Sequence, residues 1–189
     1  MKKFVLSFLA LVLIGTVFVS AQTANDPAVK SIISHFAARN FAAGEVTKTQ
    51  LDLILQAGIR APSASNRQPW HFTVVQNQAL VKKIVSQAVD GNVLIVVSAS
   101  GDGKTNGSAI LDCALAVESM YLAAQALGLG SRIYTGPMDT VNRNFKTDLG
   151  LPSGHNAVAL VRIGRLPAGT DAVSSASARN SADRMVTWK

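Results

Sequence analysis

The chain has few of the residues that would mark it as something other than a packed domain. Its 189 residues include one cysteine, so no disulfide framework can form within one chain. Aromatics make up 6% and charged residues 15%, while apolar residues reach 48%. A disordered chain would show the opposite balance. No Gly-X-Y period and no heptad run occurs, which excludes collagen and coiled coil. Acids are the scarcer charge, 11 against 18 basic residues, for a formal charge of +7. Such a balance raises nucleic acid as a partner. The length suits one domain with a core of its own.

Two of those seven excess charges belong to the first segment. Lys2 and Lys3 precede an apolar run, Phe4 to Val19, broken only by Ser7, Gly15 and Thr16. Val19-Ser20-Ala21 carries small residues where a signal peptidase reads, so residues 1–21 are expected to be a cleaved export signal. The run of 16 residues is short of the roughly 20 needed to span a bilayer. Polar residues follow directly, without a basic stop-transfer cluster. The expectation is therefore a periplasmic or secreted protein with no stable membrane anchor after cleavage. Removing 1–21 takes away two lysines and no acids, leaving +5 over 168 residues. Residues 22–189 read as one domain, with 166–189 as a polar tail.

Helix signals appear at Asp26-Pro27, opening a helix to about Ala38 with Ile32, Ile33, Phe36 and Ala37 as its apolar stripe. Thr47 or Thr49 caps a second, with Leu51, Leu53, Ile54 and Leu55 inside. A loop follows from Ala61 to Pro69. Further helices are expected over Gln78 to Ala88, Ala109 to Leu127 and Asp139 to Asp148, the longest apolar at Leu111, Ala114, Leu115, Met120 and Leu122. Phe72–Val75, Val93–Val97, Ile133-Tyr134 and Ala157–Ile163 read as strands. Helices and strands mix without strict alternation, which points to an α+β fold. Cys113 falls in an apolar helical stretch and reads as a buried thiol.

Several chemistries are weak on spacing. Ser98 to Thr105, SASGDGKT, approaches a phosphate loop but lacks its first glycine; a Gly-rich surface turn carrying Lys104 is the simpler reading. His35, His71 and His155 are far apart in sequence, and no Cys pair exists, so no metal site is expected. No G-x-S-x-G elbow occurs. Arg60, Arg67, Arg132, Arg143, Arg162 and Arg165 are scattered and read as surface, which disfavours a nucleic-acid groove. The stretch Leu53 to Val75 is richer. Ser63, Ser65 and Asn66 place donors and acceptors on a loop held by Pro62 and Pro69. Such a loop could read the polar edge of a flat heterocycle, or it could be an ordinary capped loop.

That stretch, APSASNRQPWHFTVV, closely resembles the signature of the FMN-dependent nitroreductase family. Ala38-Arg39-Asn40-Phe41 resembles the end of the family's N-terminal R-[RH]-S-x-[RK]-x-F motif. Ala126 to Ser131 resembles its A-L-G-L-G-S motif, Leu149 to Pro152 its L-G-L-P turn, and ARNSADRMVTW its closing pattern. The resemblance covers essentially all of residues 27–189. It implies a mainly antiparallel sheet flanked by helices, in a homodimer with two FMN molecules at the interface and the tail extended over the partner subunit. It also implies electron transfer from NAD(P)H to nitroaromatic, quinone or similar small acceptors, with no catalytic side chain, because the flavin does the chemistry.

By position, the resemblance puts Arg39 near the flavin N1/O2 edge and Asn66 at the pyrimidine edge. Pro62, Ser63 and Ser65 come from the other subunit. Tyr134, Thr135 and Gly136 match the segment that offers a backbone N–H to flavin N5. The phosphate end departs from the pattern: His35 replaces an arginine, Ala37 a serine and Ser177 a basic residue, leaving Arg179. His35 compensates only when protonated, so FMN affinity is expected to fall as the imidazole loses its proton. The thinned grip also leaves room for a non-catalytic member that binds flavin, or only keeps the fold. Only about 33 residues separate Val75 from the long helix, which implies an open cleft.

Overall fold

The computed structural model describes residues 26–100, 107–171 and 178–189. The segment 1–21, Lys104 and Ser177 lie outside them. Four strands form one antiparallel sheet in the order β1-β2-β4-β3: β1 (Trp70–Val75), β2 (Val93–Ser100), β3 (Gly130–Tyr134) and β4 (His155–Gly164). Central β2 is buried at every residue but its last, as its unbroken Val-Leu-Ile-Val-Val run requires. The β2–β4 register shifts between Val97 and Ser98.

Among the described residues there are six α-helices, α1 (Pro27–Ile33), α2 (Lys48–Ile59), α3 (Gln78–Ile84), α4 (Gly107–Ala126), α5 (Met138–Asn144) and, exposed in the tail, α6 (Ala182–Met185). On one face α2 and α4 pack over Val93, Ile95, Val97, Val161 and Ile163. On the other, Leu94, Val96 and Leu160 meet α3 and α5 through Val81, Ile84 and Val141. Thr47 caps α2 in a reciprocal box with Gln50. Helix α4 ends in a left-handed Gly128, and the Leu129 N–H reaches back to the Ala124 carbonyl at 3.0 Å.

α1 is shorter than its sequence suggests. Asp26 does cap it, but Ser34 Oγ donates to the Lys30 carbonyl at 2.6 Å and His35 Nδ1 bonds the Ile32 carbonyl. These side chains compete with the backbone for the last turn. The chain then runs extended, with the Ala38 N–H on the Ser131 carbonyl at 3.0 Å. Phe36, Ala38 and Phe41 form a small third cluster with Leu166. Of the expected stripe only Phe36 is buried; Ile32, Ile33 and Ala37 face outward. Leu53 on α2, and Leu111, Ala114 and Leu115 on α4, are also exposed rather than inside. α5 stops at Asn144, because the 3.1 Å bond from Leu151 to the Lys146 carbonyl and a left-handed Gly150 close a turn instead.

Candidate functional site

The candidate site residues fall into two groups at opposite edges of the sheet. The first is the loop before edge strand β1. Ser65, Asn66 and Gln68 all take positive φ, at 52°, 54° and 48°. Three non-glycine residues in the left-handed region within four positions form a strained loop of the kind found at ligand sites. Its ties are specific. The Gln68 N–H donates to Ser63 Oγ at 3.0 Å, and Gln68 Nε2 to Asn66 Oδ1 at 3.1 Å. The Ala64 N–H donates to Asp112 Oδ1 at 2.9 Å, and Arg67 reaches Ser108 Oγ at 2.7 Å. Asp112, 4% exposed, thereby fixes the loop to α4; its second oxygen, Oδ2, has no hydrogen-bond partner. Pro62, Ser65 and Asn66 face solvent, and Ser63 is half-buried.

The second group surrounds edge strand β3 and the extended segment beside it. Arg39 lines a cavity of about 340 Å³ with Asn40, Phe41, Gln87, Val89 and Arg162. Tyr134 closes β3, its ring 5.1 Å from the Arg132 guanidinium, and Thr135 and Gly136 follow, both exposed. A Cβ at Gly136 would meet nothing, so a flat ligand can approach that backbone closely. His35 lines a separate cavity of about 390 Å³ with Lys30, Ser31, Ser34, Gln125 and Thr170 among others. Its ring meets Tyr121 edge-on at 5.4 Å. Burial raises the Tyr121 hydroxyl pKa most; its bond to Gln125 and the charge of Arg179 act the other way. His35 and Arg179 thus share a neighbourhood through Tyr121. Ala37 is exposed on the extended segment and offers no hydroxyl there.

Two expectations need correction. Arg162 is not surface: it is 2% exposed, on the α3/α5 face of β4. The signal was a charge inside an otherwise apolar strand. The histidines are not all apart either. Antiparallel pairing brings His71 and His155 to 6.2 Å between ring centroids, with Ser98 Oγ 3.3 Å from His155 Nδ1. Desolvation first, and then the neighbouring His71, hold His155 below its usual pKa. Among the described residues no group of three metal-ligating side chains forms. Cys113 is fully buried, and burial, then Asp112, pushes its thiol up to about 11.

An antiparallel sheet between two helical layers, with an arginine-lined cavity at one edge and a strained polar loop at the other, defines an α+β ligand-binding domain. The Nitroreductase family model matches residues 32–93 and 86–165, so the chain belongs to the Nitroreductase family, whose members are oxidoreductases. A protein of Archaeoglobus fulgidus named "Putative NADH dehydrogenase/NAD(P)H nitroreductase" is 30% identical over 149 residues, 74% of this chain and 85% of that protein. A nitroreductase of Bacteroides fragilis solved with bound FMN superposes with TM-score 0.71 at 23% identity, covering 87% of this chain and 99% of that one. An FMN-bound nitroreductase of Desulfitobacterium hafniense gives 0.73 at 22%, covering 87% and 98%.

Proposed function

We propose that this chain is an exported, homodimeric FMN-dependent oxidoreductase. It passes two electrons from a reduced donor, NAD(P)H by analogy with the names of its relatives, to nitroaromatic, quinone or similar small acceptors, which occupy the site in turn. One observation carries the reading. The strained loop lies beside β1 and the Arg39 cavity beside β3, at opposite edges of one sheet. A cleft using both needs a second copy. Exposed apolar residues support it: Leu111 and Leu115 on α4 are 68% and 45% exposed, with Ile32 and Ile33 on α1 and Leu53 on α2 also open. Apolar area of this kind marks an association surface.

The residues present fit the group. The guanidinium of Arg39 and the cavity beside it suit the electron-rich pyrimidine edge of a flavin. Asn66, Ser63 and Ser65 of the partner offer hydrogen bonds, and Pro62 a flat apolar contact. The backbone after Tyr134 is open to close approach. Arg179 supplies positive charge for the phosphate, with the His35 imidazole in the same neighbourhood and no hydroxyl at Ala37. FMN, when bound, accepts a hydride equivalent and passes on two electrons. The protein orients it, and Arg39 stabilises negative charge on the reduced ring. Export rests on Lys2-Lys3 and the apolar run behind them; the mature chain is expected to begin at Gln22, which N-terminal sequencing checks. The decisive experiment is purification with added FMN, followed by absorbance and light scattering. A dimer with bound flavin that bleaches with dithionite and with NAD(P)H is expected. A chain that retains no flavin rejects the proposal.

A further inference from the structure

Arg162 is the only buried basic side chain among the described residues, and its surroundings are chemically incomplete. Nε donates to Asn92 Oδ1 at 2.8 Å and Nη2 to the Gln87 carbonyl at 2.8 Å. Nη1 stands 3.5 Å from the Tyr134 hydroxyl, too far for a strong bond. The guanidinium lies 4.0 Å over the Phe41 ring. All these partners are neutral, and no ion pair to Arg162 forms among the described residues. A buried charge without a counter-charge is costly, and removing water from it makes any anion that arrives bind more strongly. A guanidinium has five N–H donors, and these contacts occupy three at most. Arg162 lines the same 340 Å³ cavity as Arg39. Two arginines therefore line one small space together with Phe41 and Gln87.

We propose that Arg162 is a second cation for the pyrimidine edge of the flavin, one that binds the anionic reduced ring in preference to the neutral oxidised ring. The proposal rests on the flavin reading above, with Arg39 at that edge. Arg39 is exposed, so water screens its charge. Arg162 is buried, so its charge acts at low dielectric and favours whichever redox state carries negative charge. No proton or bond changes at Arg162 itself. It shifts the equilibrium between two bound forms by binding one better than the other.

The experiment compares the holoprotein with Arg162→Gln and Arg162→Lys. Two quantities are read: the dissociation constant of oxidised FMN by fluorescence, and the midpoint potential of bound FMN by equilibration with a reference dye. Together they give the affinity for each redox state. In Arg162→Gln the reduced form should lose about tenfold more affinity than the oxidised form, a drop of about 30 mV for a two-electron couple. Arg162→Lys should keep most of the potential while weakening both forms. A purely structural arginine would weaken both forms equally and leave the potential in place; that result overturns the proposal.

If the variants do not fold, wild-type apoprotein decides. Barbiturate, a flat pyrimidine anion, should bind at least about tenfold more tightly than neutral uracil and compete with FMN; equal binding overturns the proposal. A wild-type protein that binds no FMN under any condition defeats the functional reading itself. A wild type that binds FMN, with an unchanged potential in Arg162→Gln, defeats only the role of Arg162.

Discussion

The two helical layers that cover the sheet end differently. The α3/α5 layer closes on itself: Val81, Ile84, Val141, Leu94 and Leu160 are buried together, and neither helix leaves a large apolar residue in solvent. The α2/α4 layer buries a larger cluster, yet it also exposes Leu53, Ile59, Leu111 and Leu115. Helix α4 is apolar on all sides, which is why its length and composition alone would let it cross a membrane. The comparison teaches that one layer ends at water, while the other leaves apolar area that the proposed second copy would cover. The strained loop is tied to the unfinished layer through Asp112. The arginine-lined cavity sits on the closed side, through Arg162.

The sharpest way to break this contrast is truncation in the closed layer. Leu160→Ala should cost about 2–5 kcal/mol in urea unfolding, because the cavity has rigid walls on both sides. A loss under about 1 kcal/mol would mean that this layer is loosely packed. Leu111→Lys tests the open layer. It should leave secondary structure intact but shift the dimer towards monomer in light scattering and reduce FMN retention at least about tenfold. An unchanged dimer would place the interface elsewhere. Asp112→Ala joins the two themes, since it frees the Ala64 N–H and loosens the loop. It should cost about 1–3 kcal/mol of stability and weaken FMN binding. Asp112→Asn, which keeps an acceptor, should recover most of both.

A smaller effect is expected from pH. His155 has its folded pKa depressed, so it favours the neutral form when folded. Its contribution is present above its usual pKa and is lost as acid protonates it in the unfolded chain. Melting temperature should therefore fall from pH 7 towards pH 5, and His155→Gln should flatten that slope; an unchanged slope would remove His155 as the cause. Last, the buried Cys113 thiol, with its pKa near 11, should resist iodoacetamide at pH 8 until denaturant is added.

The sequence carried the elements well where the chemistry is local. Asp26-Pro27 and Gly128 each marked a helix end by a mechanism that acts within four residues, and the choice between Thr47 and Thr49 was settled by the Thr47–Gln50 box. The unbroken apolar run of β2, mostly β-branched, marked a buried strand. What failed was direction. Leu111 and Leu115 look like core in a helix that is apolar all round, because periodicity cannot tell a face that meets its own sheet from one left exposed. The strained loop was legible as a polar segment, but the left-handed turns at Ser65, Asn66 and Gln68 carry no glycine to announce them. Arg162 was visible as a charge in a strand; its burial depended on Phe41 and on Gln87 and Asn92, from two distant segments. The His71–His155 pair arose only once β2 paired with both β1 and β4.

One feature of the tail gives the protein a built-in reporter. Of its two tryptophans, Trp70 is half-buried with its ring parallel to Phe72 at 6.2 Å, while Trp188 is 92% exposed. Their emission therefore begins in two different solvents, one protein and one water. Any surface that takes up the tail will move the Trp188 component to shorter wavelength. Assembly can then be followed by light alone, with no label added to the chain.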